Sequence, residues 1–239
     1  MSYLNTKPLL YGIKHSPIIR EIEVVTEYPA KIADMLFDDS IDIGLVPVSI
    51  IPGLKEYHVN TRFCIGCDGP VASVCLFSEV PLPEIGKVLL DYQSRTSVAL
   101  VEILFRKHWK KNPVFEPAGP DFISRIKGNT AAVVIGDRAL ELRSSSAFVY
   151  DLGETWKQMT GLPFVFAAWI SNKNLDPGWV ERFDQANAFG LQNIEEVVKN
   201  EPSHIIDLHD YYTNILSYEL DDEKRKGLNL FLDLLADQH

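Results

Sequence analysis

Short apolar runs alternate with polar turns through about the first 170 residues, and the pattern predicts strands alternating with helices. Residues 1–5 read as the end of a strand. Thr6 is then an N-cap and Pro8 stands near the start of a helix reaching about Ile13. Ile22 to Glu27 alternates like a strand, and Tyr28 to Phe37 shows helical spacing. Asp42 to Val48 is a continuous apolar run, the pattern of a parallel strand buried on both faces. Phe63–Ile65, Val71–Phe77, Lys87–Asp91, Thr130–Ile135, Phe148–Leu152 and Phe164–Ile170 read as further strands. Ser94 or Thr96 caps a helix running to about Trp109. After Pro177 the period changes. Trp179–Asn200, Ser203–Leu220 and Asp222–Ala236 read as three helices. Strand–helix alternation followed by helices argues for an α/β protein with parallel sheets.

Four of the predicted strands feed polar loops: Tyr3-Leu4-Asn5-Thr6-Lys7-Pro8, Gly69-Pro70-Val71-Ala72-Ser73, Ser94-Arg95-Thr96-Ser97 and Ile135-Gly136-Asp137-Arg138. Ligands of α/β proteins bind at the carboxyl ends of strands, so these loops are the candidate site for a small anion. Ser94, Thr96 and Ser97 supply hydroxyls at a helix start, where free amides also favour an anion, and Arg95 adds a charge; a plain cap with a solvated Arg95 explains the same residues. Asn5 can donate to a carboxylate or hydroxyl, or can satisfy its own turn. Ser73 lacks the G-x-S-x-G elbow of a nucleophile, so it reads as a hydrogen-bonding group or as a small strand residue. Asp137, after Gly136, can bind a substrate hydroxyl or cap the helix that follows.

The 239 residues are 46% hydrophobic and 23% charged, enough to bury a real core in one domain or two lobes. A net charge of −10, with no basic stripe, argues against a nucleic acid partner. No apolar run reaches the roughly 18 residues of a membrane helix. The N-terminus shows no secretory pattern, which makes a cytoplasmic location the expectation. Cys64-Ile65-Gly66-Cys67 has no second pair to complete a zinc site and does not open a helix, so reduced structural thiols are expected. No metal cluster or nucleotide fingerprint is present, and no cofactor is expected. His15, His58, His108, His204, His209 and His239 all lie outside the four loops, so there is no obvious histidine base. Trp156, Phe164, Phe166 and Trp169 form core, or the wall of a site for a ring.

Six segments in register carry a resemblance: Ser2 to Leu9, Asp42 to Pro47, Gly69 to Val74, Ser94 to Val98, Ile135 to Leu140, and Asp151 to Trp156 with Thr160 to Ala167. Together they resemble the chorismate dehydratases, which open the futalosine route to menaquinone. The resemblance implies a two-lobed fold of the type II periplasmic-binding-protein kind with a central ligand cleft. Lobe 1 would be 1–76 plus 168–239, with a helical tail, and lobe 2 would be 77–167. It implies loss of water from chorismate to give 3-[(1-carboxyvinyl)oxy]benzoate. Asn5 and Ser73 match the family's catalytic motifs. Thr6, Ser94, Arg95, Thr96, Ser97, Gly136 and Asp137 would bind substrate. Two other readings are the sister enzyme 1,4-dihydroxy-6-naphthoate synthase, which typically has a cleft histidine, and a non-enzymatic solute-binding protein.

Overall fold

The computed structural model describes residues 3–201 and 203–237. Met1, Ser2 and His239, named above, lie outside the described residues. The chain opens with a 3-10 turn, Leu4–Thr6, where the end of a strand was expected, and runs into α1 (Lys7–Lys14). The Thr6 hydroxyl donates to the Tyr3 carbonyl at 2.9 Å, so it closes this turn instead of capping α1. α2 (Pro29–Phe37) leads to β1 (Ile43–Pro47). β2 (His58–Cys67), β3 (Val74–Ser78) and β4 (Lys87–Leu90) follow, then α3 (Thr96–Ile103). Next come β5 (Val114–Pro117), β6 (Thr130–Ile135), α4 (Asp137–Leu142), β7 (Phe148–Asp151), α5 (Leu152–Thr160) and β8 (Phe164–Ser171). The tail holds α6 (Pro177–Gln192), α7 (Ile194–Asn200), the single turn α8 (Leu208–Asp210), β9 (Ser217–Glu219) and α9 (Asp222–Ala236).

The strands form two sheets, in the orders β1-β8-β2-β9 and β5-β4-β6-β3-β7. β3 lies wholly in the second sheet and β8 wholly in the first. The chain therefore crosses between sheets over residues 68–73 and returns through α5. A division at 76/77 and 167/168 would pass through both strands. Their interiors are apolar, and Leu76, Val133, Leu100, Trp156 and Phe164 join one continuous core.

Several expectations change. β1 is not a buried parallel strand: it pairs antiparallel with β8 (Ile43↔Ser171 to Pro47↔Ala167) and has no partner on its other side among the described residues. All pairs of the first sheet are antiparallel, and parallel pairing is confined to β4 with β5 and β6. A continuous apolar run reports burial, not strand direction. Ile22–Glu27 is extended but belongs to neither sheet; it faces β1 across a groove of about 840 Å³. The predicted helix 179–200 breaks at Asn193, whose side-chain amide donates to the Phe189 carbonyl at 2.7 Å and competes with the helix ladder. The predicted helix 203–220 is instead α8, a wide turn over Tyr211–Ile215, and β9, which pairs with β2. The helix after Ser94 likewise finishes as a wide π turn, Leu104–Trp109. α1 and α6 approach so closely that a Cβ on Gly12 would lie 2.0 Å from the Ala186 carbonyl oxygen.

Candidate active site

The four polar loops converge where the two sheets meet. The Leu4 amide donates to Asp137 Oδ1 at 3.0 Å, and the Gly136 amide donates to the Ser73 carbonyl at 2.8 Å. Gly136 has φ +66, and a Cβ there would meet the Tyr3 ring at 2.4 Å, so only glycine lets the two loops touch. On the other side the Tyr3 hydroxyl donates to Gln93. Gln93 also accepts from Arg138 at 2.9 Å, and Arg138 pairs with the buried Asp91 at 2.8 Å. Burial pushes the Tyr3 hydroxyl up to about 12, which keeps it a donor at neutral pH. The Ser49 amide donates to Thr96 Oγ1 at 3.2 Å, and the Ala30 amide to the Gln93 carbonyl at 3.2 Å. Four of these hydrogen bonds, Leu4–Asp137, Tyr3–Gln93, Ser49–Thr96 and Ala30–Gln93, hold the first-sheet side against the second.

Asn5 and Ser73 are the residues best placed for chemistry. Asn5 Oδ1 is buried and has no hydrogen-bond partner among the described residues. A buried acceptor left unpaired costs about 1–3 kcal/mol, and such an atom is poised for an incoming donor. Ser73 is 1% exposed, and its Oγ accepts from the Tyr211 hydroxyl at 2.7 Å. Its loop is strained at Ala72, with φ +62. The loop is held by Asp151, whose carboxylate accepts from the amides of Val71 (3.1 Å) and Ala72 (2.8 Å) and caps α5 through Gly153 and Glu154. Asp151 therefore ties both inter-sheet connections to one side chain. Asp137 keeps Leu4 in place, and burial raises its pKa above the ordinary carboxylate value.

The other expected residues divide. Ser94 Oγ accepts from the Ser97 amide at 3.1 Å, so Ser94 does act as a cap at the start of α3. Thr96 and Ser97 are buried at the junction, but the Thr96 hydroxyl is engaged with Ser49. Arg95 pairs with Asp34 on α2 over the Phe37 ring, so its charge is engaged across the two sides. Thr6 serves its own turn. The aromatic group is core: Trp156, Phe164 and Phe166 pack edge to face, while Trp169 stands apart against Phe183. All three cysteines are free and buried, and burial raises Cys64 to about 12. Among the described residues no His/Cys/Asp/Glu group could hold a metal ion, and no helix is long and apolar enough to cross a membrane. Sequence reasoning gave no site role to Gln93, Arg138, Asp91, Tyr211, Tyr212 and Tyr218. Arg138 alone carried a local signal, since it lies in one of the loops.

Comparison with known proteins adds to this geometry. A family model described as menaquinone biosynthesis matches residues 1–237. The chain is 30% identical to a chorismate dehydratase of Thermus thermophilus, covering 98% of this chain and 93% of the relative. It is 24% identical to one of Campylobacter jejuni, covering 97% and 94%. Among solved structures it is similar to an Archaeoglobus fulgidus protein, with a TM-score of 0.77 at 13% identity, covering 99% and 94% of the two chains. A Candida albicans protein described as having the generic periplasmic binding protein fold gives a TM-score of 0.61 at 13% identity, covering 99% and 91%. The fold is of that kind: mixed α/β with two sheets.

Proposed function

The chain belongs to the chorismate dehydratase family of menaquinone biosynthesis, and from that membership we propose that it removes water from chorismate at the junction of its two sheets. The futalosine route and a cytoplasmic location are parts of the same proposal. The ring carboxylate of chorismate is conjugated to a double bond, so the ring C–H beside the enolpyruvyl ether is acidic through that system. Removing this proton gives a dienolate. Expelling the neighbouring hydroxide then makes the ring aromatic, which drives the reaction. The protein's task is to stabilise charge gathering on the ring carboxylate with fixed dipoles in a place closed to water.

The residues are assigned as follows. The start of α3, with Ser97 and the Ser94 cap, faces one carboxylate with its helix dipole. Asn5 and Ser73 orient the hydroxyl and enolpyruvyl groups. Asp137, already bonded to Leu4 through one oxygen, offers the other to a substrate hydroxyl. Gly136 lets Tyr3 close over the site. The C–H proton passes to the substrate's own enolpyruvyl carboxylate and leaves with the hydroxide as water. The observation that carries this reading is the buried, unpartnered side-chain oxygen of Asn5, in the first of the four loops. The test is turnover of chorismate by purified protein, without added metal or nucleotide, followed by chromatography and mass. A product lighter by one water is expected. Asn5→Ala and Ser73→Ala should each lower kcat at least tenfold, and near-normal turnover in both would refute the assignment.

A further inference from the structure

Two tyrosines of one short segment each reach a different residue of the proposed site. Tyr211, in the wide turn after α8, donates its hydroxyl to Ser73 Oγ at 2.7 Å. Tyr218, in β9, donates to the Asn5 main-chain carbonyl at 2.9 Å. Both rings are buried, at 1% and 6% exposure, and neither hydroxyl makes another side-chain bond among the described residues. The segment is anchored independently of the site. Asp207 caps α8, the Leu216 amide returns to the Tyr211 carbonyl at 2.9 Å, and β9 is paired to β2. It is therefore a fixed rail running beside the junction, touching the first-sheet loop at Asn5 and the inter-sheet loop at Ser73.

We propose that Tyr211 and Tyr218 are positioning residues for the dehydration, setting the spacing between Ser73 and Asn5. The proposal rests on the assignment of those two residues made above. A serine hydroxyl is a free rotor unless something fixes it. With Tyr211 donating to its oxygen, Ser73 must turn its own proton elsewhere, and it becomes an oriented donor toward substrate. Ser73 Oγ also lies 3.4 Å from the Val71 carbonyl, a long contact that substrate can displace. Burial raises the pKa of the Tyr211 hydroxyl, so it stays protonated and keeps this role across the working pH range. Tyr218 acts one step further back. It pulls on the Asn5 carbonyl and so fixes the 3-10 turn that carries the Asn5 amide. Catalytic groups displaced by about an ångström lose large factors in rate, so a lost tether should appear in kcat more than in KM.

The experiment compares Tyr211→Phe and Tyr218→Phe with Ser73→Ala, Asn5→Ala and the double variants Tyr211→Phe/Ser73→Ala and Tyr218→Phe/Asn5→Ala. kcat and KM for chorismate are measured well below each melting point. Each Phe variant should lower kcat five- to fiftyfold with KM within about threefold of wild type. Each double variant should be no slower than its alanine parent, because a tether has nothing left to hold. The pH profile of kcat should keep its shape, since neither tyrosine transfers a proton to substrate. Phe variants with wild-type kcat beside impaired alanine variants would overturn the positioning role alone. Fully active alanine variants would instead overturn the site assignment beneath it. Multiplicative losses in the double variants, or a lost limb of the pH profile, would also overturn the proposal. The two tethers are tested separately, so a Phe substitution that prevents folding at one leaves the other readable.

Discussion

Asp151 offers the sharpest test of how the site is held, because one carboxylate serves both passages between the sheets. It accepts from the Val71 and Ala72 amides in the 68–73 connection and from the Gly153 and Glu154 amides at the start of α5. Asp151→Ala strands the first two amides in a buried setting at about 1–3 kcal/mol each. It also removes the α5 cap at about 1 kcal/mol. The expected loss is about 3–7 kcal/mol, a large share of the roughly 5–15 kcal/mol by which a typical domain is stable. In a chain of this length that corresponds to a melting point lower by roughly 6–28 °C. Asp176, which caps α6 through the Trp179 amide alone from an exposed position, provides the comparison. Asp176→Ala should cost about 1 kcal/mol. Asp151→Asn should fall between the two alanine variants, since its amide keeps one acceptor and turns a donor toward one of the stranded amides. Thermal melts by circular dichroism measure all three. If Asp151→Ala melts no lower than Asp176→Ala, the carboxylate does not clamp the connections and the argument fails. Turnover measured far below melting should also drop for Asp151→Ala, because Ser73 rides on the loop that is released.

Three further outcomes follow from the same geometry. Gly136→Ala places a Cβ against the Tyr3 ring in a left-handed backbone, and should lower both stability and kcat; retained activity with an unchanged melt would show that the Tyr3–Gly136 contact is dispensable. Asp137 has its folded pKa raised above 3.8 by burial, so its stabilising contribution is complete below about that pH and is lost as pH rises through the raised value. The melting-point advantage of wild type over Asp137→Asn should accordingly be greatest in acid and shrink toward neutral pH, and an advantage growing with pH contradicts this. Tyr212 buries a hydroxyl with no partner among the described residues, so Tyr212→Phe should raise the melting point by a few degrees, and a clear fall would reveal a bond that this hydroxyl makes.

Local pattern was enough to locate the loops at Asn5, Ser73, Ser94 and Asp137, because strand ends and caps write themselves into neighbouring residues. It did not reveal what each loop touches. Arg95 looked like an anion ligand, yet it turns to Asp34 on α2, a pairing no local window contains. The tethers were invisible for the same reason: Tyr211 lies 138 positions from Ser73, and Tyr218 lies 213 from Asn5. Strand direction was misjudged at β1 because an apolar run encodes burial and says nothing of the neighbour's polarity. The 203–220 segment read as helix from its apolar spacing, yet its residues 217–219 add an edge to β2, a tertiary choice that overrides propensity.

The groove between Ile22–Val25 and β1 has a practical consequence for anyone handling this protein. β1 is paired only to β8, and among the described residues its outer main-chain groups face an extended segment that belongs to no sheet. Unpaired edges of this kind are templates on which a foreign extended chain can add a strand. Tyr3 and Thr6 line the same groove, so a tag joined within a few residues of Tyr3 is tethered near it at high local concentration. Tags and labels therefore belong after α9. Preparations kept concentrated should be checked for strand-mediated association by light scattering before activity is compared between variants.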